Sequence, residues 1–125
     1  MTTLAERLVT NMSPADQRKH LSEMVRIAEL EWNAADDNAS RLEEGRSINL
    51  AEMKLELVSS GIAKSMSAAE DYVRASQKWK DYVRKTHDAR RVANDLRTEW
   101  RKLERDYFGA NSDEKREQNQ MRMSR

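Results

Sequence analysis

The sequence predicts an all-α protein, folded as an elongated antiparallel helical hairpin or coiled coil with a long C-terminal helix. Charged residues make up 36% of the 125 residues and hydrophobic residues 38%, with only three glycines and one proline. This composition is typical of long helices and coiled coils. The second half of the chain also carries apolar residues in alternating steps of four and three, which places them on one side of a helix. Thr86 is the one non-apolar residue of that seam, which is Ala68, Tyr72, Ala75, Trp79, Tyr82, Thr86, Ala89, Ala93, Leu96, Trp100, Leu103 and Tyr107.

The N-terminal part predicts two helices. Thr3 is a candidate cap for a short first helix with apolar residues at Leu4, Leu8 and Met12. A second helix is expected over 14–44, because Ser13 is a good N-cap and Pro14 suits the first helical position. Gly45 is a suitable C-terminal stop. The apolar seam of this second helix is Leu21, Val25, Ala28, Trp32, Ala35, Ala39 and Leu42.

The middle of the chain has two apolar sides. One side is Ile48, Ala51, Leu55, Val58 and Ile62, and the other is Leu50, Met53 and Leu57. A helix with two apolar sides is expected to lie buried between partners. Gly61 can kink a long helix without ending it. Alternatively, a fresh helix starts near 67, where Ser67 and Glu70 match a capping box.

These patterns allow two registers of the helical hairpin, and we prefer the one that turns at Gly45. If the chain turns at Gly45 and a helix over 48–108 is continuous, part of that helix overhangs the N-terminal arm and needs another subunit. The overhanging residues, Leu96, Trp100, Leu103 and Tyr107, are therefore the candidate oligomer or partner interface. If residues 45–66 form a separate helix, 14–44 instead pairs with 67–97, and the first short helix can cover the overhang. The predicted organisation is one helical domain over 1–109 followed by a flexible tail over 110–125.

Several function classes are disfavoured by composition. The chain has no cysteine, which excludes disulfides and thiol catalysis and is compatible with a reducing cytosol. No apolar run approaches a membrane span, and the N-terminus lacks the apolar region of a signal peptide. We therefore expect a cytoplasmic protein with no membrane partner.

Catalytic and metal-binding patterns are missing from the sequence. His20 and His87 are expected on separate helices, without the spacing of a metal site. Three glycines cannot build a phosphate-cradling loop. We expect no enzyme activity, no cofactor, no metal and no small-molecule substrate.

A second 4–3 pattern lies opposite the long seam and contains no acid: Lys80, Arg84, His87, Arg91, Asn94, Thr98, Arg101 and Arg105. It spans about 37 Å at 1.5 Å per residue, which suits a phosphate backbone. Its cations are candidates for contact with nucleic acid or an acidic partner. A solvated face is the favoured alternative, because Asp81–Arg84 and Asp88–Arg91 can pair at i,i+3.

The residues Ser65-Met66-Ser67-Ala68-Ala69-Glu70-Asp71, followed by Ala89-Arg90-Arg91 and Ala93, resemble small helical proteins of phage and prophage early regions, often encoded near recombination genes. The resemblance covers 62–107. It implies a phage-borne accessory factor acting in the host cytoplasm, and it carries over no site residues.

The leading hypothesis from the sequence is a non-enzymatic, self-associating interaction protein. It would act as a phage recombination or replication accessory that contacts single-stranded DNA or its handling proteins. One alternative is a phage inhibitor that binds a host defence or regulatory protein through a helical face. Another is a purely structural coiled-coil adaptor.

Overall fold

A computed structural model describes residues 13–123, and all of its regular structure is helical. The helices of this part are α1 (Pro14–Glu44), α2 (Arg46–Ser59), α3 (Met66–Ala75) and α4 (Gln77–Met123). The prediction of an all-α fold with a long C-terminal helix is confirmed. The predicted helix containing Leu4, Leu8 and Met12, with Thr3 as its cap, lies outside the described residues.

The start of α1 follows the local chemistry of its first turn. The Ser13 hydroxyl accepts a hydrogen bond from the Asp16 backbone N–H at 3.2 Å, and Pro14 is the first helical residue. An N-cap oxygen satisfies a backbone donor that the helix itself leaves unpaired. The predicted start at Ser13-Pro14 is therefore confirmed.

The chain does not reverse at Gly45, which corrects the preferred register. Gly45 has helical dihedrals (φ −73°, ψ −9°). Its N–H donates to the Arg41 carbonyl, and its own carbonyl accepts from the Asn49 N–H, each at 2.9 Å. These i→i−4 bonds carry the helical path from α1 into α2. Glycine fits here because a Cβ would lie 3.2 Å from the Tyr82 hydroxyl, which donates to the Leu42 carbonyl.

The reversal occurs at Gly61 instead. Its φ of +78° lies in the left-handed region, which glycine adopts without a steric penalty. The helix expected over 48–108 is thus interrupted, and Gly61 ends α2. The next helix begins at Met66 with Ser65 as its cap, two residues before the predicted cap Ser67; the Ala68 N–H donates to Ser65 Oγ at 3.1 Å.

A second interruption separates α3 from α4 at Ser76. This residue is extended (ψ 147°), and its hydroxyl accepts from the Trp79 N–H at 3.2 Å. The break changes which residues of α3 face inward. Ala69 and Val73 are buried, whereas the predicted seam residue Tyr72 is exposed.

The chain divides into two compact units, Met1–Trp32 with Asp95–Arg125 and Asn33–Asn94. We call them the terminal unit and the central unit. In the central unit the chain forms an antiparallel hairpin, with Tyr82 of α4 bonded to Leu42 of α1 and the Arg46 guanidinium of α2 5.8 Å from the centroid of Trp79. Buried residues of this unit are Ala39, Ala63, Ala69, Val73, Trp79, Thr86 and Ala93.

The described part of the terminal unit is an antiparallel pair of helical segments, 14–32 of α1 and 95–123 of α4. Trp32 stacks on Trp100, with ring centroids 5.0 Å apart, and Arg18 forms an ion pair with Glu114. Residues 110–123, predicted as a flexible tail, continue α4 as helix. Ala110 is buried and Glu114 has a partner on α1, so this segment has long-range contacts that its local composition does not reveal.

Candidate functional site

The eight residues of the predicted cationic pattern all lie on α4 and are all exposed. We call this set the basic face: Lys80, Arg84, His87, Arg91, Asn94, Thr98, Arg101 and Arg105. The residues from Lys80 to Asn94 belong to the central unit and those from Thr98 to Arg105 to the terminal unit. The exposure follows from the helical period, because the opposite side of α4 carries the buried seam.

The cations of the basic face differ in their local pairing. Arg91 pairs with Asp88 at 3.0 Å, with the arginine side chain 71% exposed. Asp81, in contrast, accepts a hydrogen bond from the Gln77 amide at 2.7 Å. Of the two predicted i,i+3 pairs, only Asp88–Arg91 is therefore formed. Within residues 13–123, Arg84 makes no ion pair, so its charge is available to a ligand.

Arg90, next to the basic face in sequence, has a structural role. Its guanidinium donates to Asp36 at 2.7 Å, to the Ser40 hydroxyl at 3.3 Å and to both carboxylate oxygens of Glu43, at 2.6 and 3.1 Å. We call these four residues the Arg90 cluster. The hydrogen bond from Arg90 lowers the pKa of Glu43 below its ordinary value, and the bonds to Glu43 and Asp36 raise the pKa of Arg90.

Sequence reasoning missed this cluster, although a signal was present. Asp36, Ser40 and Glu43 each follow a seam residue of the second predicted helix by one position, and Arg90 follows the seam residue Ala89 in the same way. Charged residues that flank an apolar seam commonly pair between helices. The pattern indicates polar contacts beside the seam, but not which residues meet.

The predicted oligomer interface is partly covered within the chain, which corrects the expectation of an overhang. Leu96, Trp100, Leu103 and Tyr107 are each partly buried. Trp32 of α1 stacks on Trp100, and Arg18 of the same helix lies near Tyr107. The physical reason is the position of the turn, since a reversal at Gly61 leaves a longer N-terminal arm than a reversal at Gly45.

The Trp32–Trp100 pair offers little ring surface for stacking by a nucleobase. Trp100 occupies one face of the Trp32 ring at nearly parallel orientation, 22° between planes. The Arg97 guanidinium lies 5.8 Å from the same ring centroid, within the range of a cation–π contact. Packing is therefore the role of this pair, and base stacking, which needs exposed rings, is disfavoured.

A large uncovered apolar surface lies on α2 instead. Ile48 is 62% exposed and Leu55 is 55% exposed, and Ala51 between them is exposed as well. We call Ile48, Ala51 and Leu55 the α2 apolar face. The other apolar side of α2, with Leu50, Met53 and Leu57, is partly buried, and α2 packs against α3. Of the two predicted apolar sides, the one with Leu50, Met53 and Leu57 is thus the better covered, and on the other side Val58 is partly buried while Ile48, Ala51, Leu55 and Ile62 are exposed.

An open groove runs between α1 and α4 in the central unit. Its lining residues, which define the alanine groove, are Ala35, Asn38, Asp81, Arg84, Lys85, Asp88, Ala89 and Val92. Val92 is 50% exposed. Small residues on both helices leave the floor of the groove open to an apolar side chain, and charged residues form its edges.

The described residues hold no group of three or more His, Cys, Asp or Glu side chains arranged for a metal ion. Across the same residues, no helix is long and apolar enough to span a bilayer. Comparison with family models, curated proteins and solved structures finds no match to this chain.

Proposed function

We propose that this protein is a non-enzymatic interaction protein whose basic face binds the phosphate backbone of single-stranded DNA. The proposal rests on one observation: the cations of the basic face are exposed in each unit, from Lys80 to Arg91 in the central unit and at Arg101 and Arg105 in the terminal unit, and no acid occupies a position of the pattern in either. In residues 13–123, Lys80, Arg84, Arg101 and Arg105 form no ion pair that would compete with a phosphate.

Electrostatics support a polyanionic ligand for this face. Residues 78–105 hold 10 Lys or Arg against 5 Asp or Glu, and the excess stays positive after Arg90 is set against Asp36 and Glu43 of α1. A row of cations attracts nucleic acid chiefly through the release of counterions from phosphates. Binding of this kind is largely independent of base sequence, because phosphate contacts position a protein without specifying bases.

The test is fluorescence anisotropy with a labelled oligo-dT strand at increasing salt. Each phosphate contact to a single strand contributes about −0.7 to the slope of log affinity against log salt. The triple variant Lys80→Glu, Arg84→Glu, Arg101→Glu is expected to lose most of the affinity and to flatten the slope. Its helicity by circular dichroism should stay unchanged, because all three side chains are exposed.

A matched control separates the basic face from net charge. The triple variant Lys19→Glu, Arg41→Glu, Lys64→Glu changes the net charge by the same amount at exposed positions outside that face, and it is expected to retain most of the affinity. If both variants lost DNA affinity equally, the net charge of the protein, and not the basic face, would account for binding. Absence of binding by the wild type at low salt would refute the proposal.

The α2 apolar face favours a second candidate function, binding of a protein partner through a helix. Exposed clusters of large aliphatic residues commonly mark protein–protein contacts. A protein that bound a partner in this way would act as an inhibitor or an adaptor. The discriminating variant is Ile48→Gln, Leu55→Gln, which should leave DNA binding intact.

A further inference from the structure

The α2 apolar face has an acidic border. Glu52 and Glu56 are exposed on the same helix, within one turn of Leu55, and neither forms an ion pair within the described residues. Two large aliphatic side chains at a spacing of seven residues lie on one side of a helix. The surface therefore combines apolar projections with uncompensated negative charge.

The alanine groove has complementary properties. Ala35, Ala89 and the half-exposed Val92 supply apolar lining. Arg84 and Lys85, at its edge, form no ion pair with described residues. Of the two acids of the groove, Asp88 is paired with Arg91, whereas Asp81 is bonded to the neutral Gln77 amide and keeps its charge. Arg84 and Lys85 together outweigh Asp81, so the groove edge has a small excess of positive charge next to an apolar floor.

We propose that these two surfaces bind each other between copies of this chain: the α2 apolar face of one copy docks in the alanine groove of a second copy. Ile48 and Leu55 would contact Ala35, Ala89 and Val92, while Glu52 and Glu56 would approach Arg84 and Lys85. The dimensions agree, since Ile48 to Leu55 spans about 10 Å along its helix and Asp81 to Val92 about 16 Å. The second copy is favoured as the occupant because the chain itself supplies a surface complementary to the groove in both polarity and charge.

This contact goes beyond DNA binding and does not depend on it. It joins two different surfaces, so after the first contact the pair keeps one unoccupied surface of each kind, the groove of one copy and the α2 apolar face of the other. Such a heterologous contact extends to higher assemblies or closes into a ring, whereas an isologous contact stops at a dimer. The average mass of the wild type should therefore rise with protein concentration beyond that of a dimer.

The experiment is sedimentation velocity with two variants that each lose one surface. Ile48→Gln, Leu55→Gln removes the apolar projections, and Lys85→Glu, Val92→Glu adds repulsion to the groove. All four positions are exposed, so circular dichroism should show unchanged helicity. Each variant alone is expected to be monomeric, and an equal mixture should form a one-to-one dimer, because each variant retains the surface that the other lacks.

Exchanging the charges of the α2 apolar face and the alanine groove should restore self-association. Glu52→Lys, Glu56→Lys alone and Arg84→Glu, Lys85→Glu alone should each weaken self-association, and one chain carrying all four changes should associate again. Increasing salt should weaken association of the wild type.

Three outcomes would overturn the inference. These are a wild type that stays monomeric at every concentration, a mixture of the two single-surface variants that forms no dimer, and a four-fold exchange that fails to restore association. DNA binding is read separately, and Ile48→Gln, Leu55→Gln should keep it. A wild type that binds DNA but does not self-associate would thus sink only the docking contact, and a wild type that self-associates but does not bind DNA would sink only the DNA-binding proposal.

Discussion

Arg90 and Glu43 form a two-point contact between α4 and α1, with the Arg90 Nε and Nη2 atoms 2.6 and 3.1 Å from the two carboxylate oxygens of Glu43. The two residues are 47 positions apart in sequence. A fork of two parallel hydrogen bonds fixes orientation as well as distance. Because Arg90 also reaches Asp36 and Ser40, this cluster sets the register of the two helices in the central unit.

Removing the Arg90 side chain should therefore lower thermal stability. Arg90→Ala leaves two neighbouring carboxylates, Asp36 and Glu43, without their shared cation, and we expect a clear fall in Tm. Arg91→Ala is the matched control, because Arg91 makes only a solvent-exposed pair with Asp88 of its own helix and such pairs contribute little. Thermal melts that are alike for the two variants would show that the Arg90 cluster does not stabilise the fold.

Stability should also fall in acid. Hydrogen bonding to Arg90 depresses the folded-state pKa of Glu43 below its ordinary value of 4.5. A depressed carboxylate pKa stabilises the fold above that ordinary value, and the stabilisation is lost as pH falls through the lower, folded-state pKa. Tm measured against pH should decline below pH 4.5. The Glu43→Gln variant should show a shallower decline of Tm than the wild type. If the two curves were identical, protonation of Glu43 would not account for the loss of stability in acid.

The tryptophans should differ in their contribution to stability. Trp79 is 4% exposed and stacks on Tyr82 with centroids 5.7 Å apart. Trp79→Ala should cost about 3–5 kcal/mol, the usual loss for a buried aromatic residue. Trp32 is only partly buried, so Trp32→Ala should cost less in urea unfolding. If Trp32→Ala lowered the free energy of unfolding more than Trp79→Ala does, the burial of Trp79 in the central unit would be contradicted.

Two glycines should respond to alanine in opposite directions. At Gly61, φ is +78° and no atom lies within 4 Å of a new Cβ, so Gly61→Ala destabilises through backbone strain alone, by roughly 1–2 kcal/mol. Gly109 lies inside α4 with the same open surroundings, and Gly109→Ala should stabilise by up to about 1 kcal/mol. Chemical unfolding of both variants tests the position of the turn, and stabilisation by Gly61→Ala would place the reversal elsewhere.

Much of the fold was predictable because it depends on residues close together in sequence. The apolar period determined that the chain is helical and which side of α4 is buried from Trp79 to Tyr107. The same period placed the basic face on the exposed side. Ser13 and Pro14 determined where α1 begins through hydrogen bonds within one turn.

The tertiary structure decided where the chain reverses and which helices pair. Gly45 and Gly61 both signal a helix end, and local propensity does not rank them. The Tyr82 hydroxyl and the Arg90 guanidinium contact α1 residues 40 and 47 positions away, and such contacts arise only in the folded chain. The covered interface at Trp100 and the exposed α2 apolar face follow from that register, since the same apolar pattern is buried or exposed according to the helix that packs against it.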